Sequence, residues 1–310
     1  MVGSKHPWKA WLYLSPAIIL LLIFTVWPII NTIRMAFMEN YNFLEAARGK
    51  VFEIGLGNFT SVIKYRGFIN CLTNTMLLCV LTVPISTILA LIISVCLNAI
   101  KPFRRMLQTI FFLPYVTNSI AIGMVFAAMF NMVGTALGTD AQIITTAGII
   151  NNFLGLFGVE PINWLSPSPD MYWANMVVMF VYIVWNALPF KILVLLGGLQ
   201  SVNKQYYDAA KVDGTSKTRV FWRITVPLLS PMISYLLITG FIGGFKEYSS
   251  VVGVFGEDMN NGQLQTMVGF IYSAIGKSEG TASAAAIILF AIILVVTLIN
   301  LKVSNKNTHY

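Results

Sequence analysis

Charge is what this chain has least of. Only 10% of its 310 residues are Asp, Glu, Lys or Arg, where a soluble domain carries about 25%. Histidine is nearly missing: His6 and His309 stand at the two ends, so neither suits a catalytic centre. An enzyme working at membrane depth needs a cluster of His, Asp or Cys, and no such cluster is legible. The three cysteines, Cys71, Cys79 and Cys96, lie in or beside one apolar segment without CxxC spacing. They read as buried thiols rather than as a metal site or a disulfide. The phosphate-cradling pattern GxxxxGK[ST] is also missing; the nearest glycine-rich piece, GFIGGFKEYSS, lacks the spacing and sits in an apolar run.

What the chain has in excess is apolar surface: 57% hydrophobic residues and a mean hydropathy of +0.75. Six segments are long enough to cross ~30 Å of hydrocarbon at ~1.5 Å per residue: 12–37, 72–97, 107–132, 172–196, 232–254 and 282–301. In lipid every backbone polar group must be satisfied within its own segment, so each is expected to be a helix. The fold class expected is all-α: a polytopic membrane protein with six transmembrane helices, forming one domain over 1–310. Pro84, Pro114 and Pro189 fall inside spans and predict kinks. The first run is too long for a signal peptide and has no small-residue cleavage site, so it is expected to stay as an anchor. No internal repeat or Pro- or Ser-rich linker divides the chain.

Orientation follows from the basic residues. The two tails, the loop after the second span and the loop after the fourth hold Lys5, Lys9, Lys101, Arg104, Arg105, Lys204, Lys211, Lys217, Arg219, Arg223, Lys302 and Lys306, against Asp208 and Asp213 as the acids. The opposite side holds Arg34, Arg48, Lys50, Lys64, Arg66, Lys246 and Lys277 together with the other ten acids. The positive-inside rule places both termini in the cytoplasm. The net charge of +8 then reflects cytoplasmic loops rather than a nucleic-acid partner. Segment 133–171 is external and contains no Lys or Arg. It ends in EPINWLSPSPD, with Trp164 among turn formers.

The cytoplasmic stretch YYDAAKVDGTSKTRVFWRITVPLLSP interrupts this grease. Asn203 is an N-cap candidate for a short helix over 204–212. Gly214 suits the left-handed residue that ends it. A second helix is expected over 217–224, with Val220, Phe221, Ile224 and Leu228 on one face and Lys217, Arg219 and Arg223 elsewhere. Pro227 and Pro231 mark the return to the fifth span. Two readings are open from these residues: an interfacial helix on anionic lipid, or a docking surface for a cytoplasmic partner.

The same stretch resembles the EAA loop of permease subunits of bacterial ABC importers. Asp208, Ala209, Ala210, Asp213, Gly214, Phe221, Ile224, Pro227 and Pro231 stand in the places of that motif. Asp208 replaces the family's Glu, and Thr215 its Ala. WLYLSPAIILLLIFTVWPI, FRRMLQTIFFLP and NWLSPSP agree as well. The chain is similar to carbohydrate permeases of the maltose and glycerol-phosphate type, specifically the first of the two unlike permease subunits. The resemblance implies residence in the bacterial cell membrane and a heterodimer with a second permease. It implies two ATP-binding subunits that carry the ATP and magnesium, with no cofactor on this chain, and an extracellular solute-binding protein that delivers a sugar or oligosaccharide. It assigns ATPase coupling to Asp208, Ala209, Ala210, Asp213, Gly214 and Phe221 in the loop 201–231.

Intramembrane polar groups are the candidates for the sugar path. The fourth span offers Trp185, Asn186, Phe190 and Lys191; ring faces stack on sugars and amides bond hydroxyls. The fifth span offers Gly240, Gly243, Gly244, Glu247 and Tyr248. The resemblance favours positions near Asn186, Phe190, Gly244 and Glu247. Each has a plainer reading: the glycines as a helix-packing face, Trp185 as a membrane-belt residue, Lys191 as a side chain that snorkels to the interface, and Glu247 as a partner of Lys246 or of water. A secondary transporter, the rival class, is expected to show paired repeats and buried acids, and the first three spans carry no such acid. The lack of basic residues in 133–171 disfavours an anionic cargo, while Lys191 and Lys246 keep one open.

Overall fold

The computed structural model of the chain describes residues 7–100, 104–137 and 142–307. In chain order its main helices are α1 (Trp8–Phe37), α2 (Gly57–Lys64), α3 (Phe68–Ala99), α4 (Arg104–Val116), α5 (Ser119–Phe130), α6 (Tyr172–Ser201), α7 (Lys204–Val212), α8 (Lys217–Leu228), α9 (Ser230–Gly244), α10 (Ser249–Phe255), α11 (Met267–Ala274) and α12 (Glu279–Asn307). One antiparallel hairpin, β1 (Met132–Leu137) with β2 (Gln142–Ala147), stands apart from this helical pattern. On length and composition α1, α3, α6 and α12 can each cross a membrane. Two bent pairs raise the number to six if each counts as one span: α4 with α5, turned by 100°, and α8 with α9, turned by 66°.

Two of the expected spans, 107–132 and 232–254, are not continuous helices; the first break lies within a bent pair, and the second falls after α9, outside the α8–α9 bend. In 107–132 the break falls at Thr117 and Asn118. Pro114 offers no N–H to the carbonyl one turn back, and Asn118 adopts an extended conformation. Its side chain accepts from the N–H of Ile120 at 2.8 Å and of Ala121 at 3.4 Å, which starts α5 afresh. In 232–254, α9 ends on Gly243 and Gly244, and the helix resumes at Ser249. Glu247 Oε1 accepts from Ser250 N–H at 3.2 Å within the new first turn.

Helix α8 runs further than 217–224. It passes through Pro227 by widening to a π turn at Phe221–Thr225, where Val226 N–H bonds the Phe221 carbonyl. The same device occurs in α1, where a π turn at Leu22–Val26 precedes Pro28 and Trp27 N–H bonds the Leu22 carbonyl. In both, the proline stands two residues past the wide turn, where its missing N–H would otherwise leave a gap in the ladder.

The chain divides into two contact units, one of Met1–Phe68 with Phe270–Ala291 and one of Ile69–Gly269 with Ile292–Tyr310. In the first, Asn58, 3% exposed, closes the end of α1: its Nδ2 donates to the carbonyls of Ala36 at 3.0 Å and Met38 at 2.7 Å. Gly280 makes this possible, because a β-carbon there would stand 2.6 Å from that nitrogen.

In the second unit, α3 and α6 carry two apolar levels with a polar layer between them. One level joins Leu78, Phe126, Met179, Tyr182 and Val254; the other joins Ala90, Leu91, Leu195, Leu199, Leu229 and Leu236. Helices α5 and α10 meet at Gly123 and Gly253, where a β-carbon on Gly123 would stand 2.6 Å from the Gly253 Cα. The turn before α11 is held by side-chain amides. Asn74 Nδ2 donates to the Gln263 and Gln265 carbonyls at 3.0 and 2.9 Å, and Asn74 Oδ1 accepts from Tyr172 OH at 2.8 Å. Met259, Asn260 and Asn261 in that turn all have positive φ, at 49°, 60° and 55°.

Candidate functional site: a pocket at helix breaks and an exposed helical loop

The polar layer opens onto a cavity of about 360 Å³. The α4–α5 break gives it Tyr115, Thr117 and Ser119; α6 gives Asn186, Phe190 and Lys191; α9 gives Thr239 and Gly240. The rings of Tyr115 and Phe190 are stacked, 5.7 Å between centroids and 17° between planes. Ser119 is fixed by Tyr182, whose hydroxyl lies 2.9 Å from Ser119 Oγ. The wall thus offers an aromatic pair, an amide, hydroxyls and one ammonium.

Lys191 corrects an expectation. It does not snorkel: it is 5% exposed, and its Nζ donates to the Val83 carbonyl at 3.0 Å, Ser86 Oγ at 2.6 Å and Thr87 Oγ1 at 2.9 Å. All three acceptors lie on one turn of α3, and together they replace the water that a snorkelling side chain would seek. Gly240 leaves the room: a β-carbon there would meet Val83 Cγ1 at 2.8 Å and stand 3.6 Å from Lys191 Nζ.

Asn186 and Phe190 therefore meet in this pocket. Trp185, Gly244, Glu247 and Tyr248 lie outside its lining. Trp185 packs on Phe126, 5.3 Å between centroids. Gly244 makes space for Cys79, whose Sγ would be 2.8 Å from a β-carbon, so Gly240 and Gly244 form a packing face against α3. A β-carbon on Gly243 would meet nothing within 4 Å. Tyr248 packs on the first apolar level. Tyr115, Thr117 and Ser119 were missed from the sequence, although a proline followed by Thr-Asn-Ser is the signature of a stop and a new cap.

The second place is the α7–α8 loop. Asn203 Oδ1 accepts from Gln205 N–H at 3.0 Å, capping α7 as the sequence suggests. At its other end Gly214 has φ +66°, Thr215 N–H bonds the Ala210 carbonyl at 3.0 Å and Gly214 N–H bonds the Lys211 carbonyl at 3.2 Å. This is the Schellman arrangement. A groove of about 630 Å³ runs between the two helices, lined among others by Tyr206, Ala209, Ala210, Asp213, Arg219 and Arg223. Asp208 and Gly214 are exposed beside it, while Phe221 turns inward onto the second apolar level. Tyr206 and Trp222 present large exposed rings. Tyr206 lines the groove as well, and the i, i+4 spacing of Arg219 and Arg223 on α8 puts both on the side that borders it.

Long apolar helices, two of them bent pairs, with a polar pocket at one break and an exposed helical loop, define a multi-pass membrane protein of the transport class. Residues 82–308 match the family model for the binding-protein-dependent transport system inner membrane component, and the chain belongs to that family. It is 28% identical to the arabinooligosaccharides transport system permease protein of Bacillus subtilis over 96% of this chain and 88% of that one. It is 28% identical to the lactose transport system permease protein of Rhizobium radiobacter over 94% of this chain and 91% of that one. Its fold is that of a chain in the crystal structure of a bacterial ABC transporter that imports the acidic polysaccharide alginate, with a TM-score of 0.77, 22% identity and 98% of both chains covered. A second structure, of the alginate transporter in complex with a pentasaccharide-bound periplasmic protein, matches with a TM-score of 0.78 at 23% identity over 98% of this chain and 96% of that one. The chain is a multi-pass component of the cell membrane and serves transport rather than catalysis.

Proposed function

We propose that this chain is the first of two unlike permease subunits of an ATP-driven sugar importer, with the whole of 1–310 as one permease domain of six spans and both termini in the cytoplasm. The observation that carries the reading is the pocket in which Asn186 and Phe190 meet Tyr115, Ser119 and Thr239. An aromatic face beside an amide and hydroxyls is the chemistry a saccharide needs, because its C–H faces stack and its hydroxyls bond. The relatives named for arabinooligosaccharides and lactose support the cargo class.

On this reading an extracellular solute-binding protein delivers the sugar, and this chain and a second permease enclose the path. Trp185, Gly244, Glu247 and Tyr248 act from the layer around the pocket. Two cytoplasmic ATPase subunits, which bind ATP and magnesium, receive the α7–α8 loop. Asp208, Ala209, Asp213 and Gly214 face the ATPase, Ala210 is buried behind them at 6% exposure, and Phe221 anchors the loop to the membrane core. Isolation of the subunit from its native membrane in mild detergent tests the assembly. A second six-span permease, an ATPase and a solute-binding protein are expected by mass spectrometry, and titrating that binding protein with sugars names the cargo. Recovery of this chain alone or as a homo-oligomer, unchanged by ATP, would overturn the proposed assembly with a second permease and two ATPases.

A further inference from the structure

Lys191 is the one charged side chain among the described residues that line the pocket, and its charge is unanswered. Its three N–H bonds go to a carbonyl and two hydroxyls, all neutral. Among the described residues the one ion pair is Lys50 with Glu45, in the other contact unit. Glu247 accepts from Ser250 N–H and does not line the pocket. Burying an ammonium without a counter-ion is costly, and three neutral acceptors offset only part of that cost. A methionine would fill the same volume without it. An ionisable group held at membrane depth marks a function by default, and here it faces the space through which cargo is proposed to pass.

We infer that Lys191 selects cargo by charge, favouring saccharides that carry a carboxylate or phosphate over neutral ones. The inference rests on the sugar-permease reading above. Because its donors are saturated, Lys191 does not bond the cargo directly. It sets a fixed positive potential in the pocket, while Asn186, Thr239 and Ser119 serve the hydroxyls and the Tyr115–Phe190 pair serves the ring. Attraction through space favours an anion without trapping it, and a carrier has to release what it binds. At separations near ~6 Å and an effective dielectric near ~20, such an interaction is worth a factor of about 10 to 100. The basic-poor segment 133–171 bears on entry, whereas Lys191 bears on passage.

The test uses the complete transporter in proteoliposomes, supplied with its own binding protein. Uptake of three matched probes is measured: a neutral disaccharide, its uronate and its phosphate ester. The binding protein is the same in every sample, so its preference cancels in the ratio of variant to wild type. In Lys191→Met the anionic probes are expected to fall about 10- to 100-fold, with the neutral probe within about twofold. Adding Ala187→Lys to that variant returns an ammonium to the pocket from α6, at a lining position with no assigned contact to cargo, and the anionic preference is expected to recover. A purely structural pin between α3 and α6 would lower all probes together and show no recovery, which overturns the inference. Neutral uptake alone in wild type, unchanged in Lys191→Met, also overturns it and leaves the sugar importer standing. If no saccharide of either charge moves while ATP is hydrolysed, both readings fall.

Discussion

At Gly214 the backbone takes a left-handed turn with φ +66°, and a β-carbon there would meet nothing within 4 Å. The constraint is conformational, not steric. Most other residues cost about 1–2 kcal/mol at such a position and Asn and Asp less, so Gly214→Asp acts chiefly by adding a second negative charge beside Asp213. Membrane abundance is expected to stay at the wild-type level while uptake drops several-fold, as read by immunoblot and radiolabelled sugar. Equal uptake at equal abundance would remove the loop from the coupling mechanism. Asn151 makes a different prediction. Its Oδ1 accepts from Trp164 Nε1 at 2.8 Å and from Ile162 N–H at 3.2 Å. Asn151→Leu leaves both donors without a partner, at a cost of about 1–3 kcal/mol, so the melting temperature in detergent is expected to fall and Trp164 fluorescence to shift. Lys191 marks the limit of reading residues from sequence. Its ionisable nature is plain, but its three acceptors stand more than 100 residues away on α3, and no local pattern announces them.

Helices show the same contrast one level up. The start and end of α7 are legible because a cap and a left-handed glycine act over three or four residues. Both features stand where the sequence puts them. The breaks in 107–132 and 232–254 are not legible from hydropathy, since a gap of two to four residues barely changes the average over a span. They are written in Thr117–Asn118–Ser119 and in the glycine pair before Phe245, signals that a span-finding reading passes over. Helices α5 and α10, each of which starts after a break, pack closely on one another. Gly123→Val drives a side chain into the backbone of Gly253, and overpacking of this kind costs about 1–3 kcal/mol or more. The expected result is a lower melting temperature, with the same loss for Gly253→Val and little further loss when the two are combined. Additive losses would show that α5 and α10 do not share one contact.

At the scale of the molecule the composition gives the class, and the distribution of basic residues gives an orientation that can be measured. Val212 and Leu156 are 89% and 81% exposed. In a Cys96→Ser background, where Cys71 and Cys79 stay buried, Leu156→Cys is expected to react with a membrane-impermeant maleimide in intact cells. Val212→Cys is expected to react only in inverted vesicles. The reverse pattern would turn the protein over in the membrane and end the coupling reading. Helix α6 runs unbroken for 30 residues from Tyr172 to Ser201, about 45 Å at 1.5 Å per residue. It holds Asn186 near its middle and enters α7 two residues after it ends. The helix continues through Pro189 without a break, and on the sugar-permease reading proposed above it is a lever with its fulcrum at the pocket. A tilt of about 10° about the midpoint carries each tip sideways by about 4 Å over a half-length of about 22 Å. A modest push on the loop would thus swing the far mouth by about the width of a methyl group, while Asn186 itself scarcely moves.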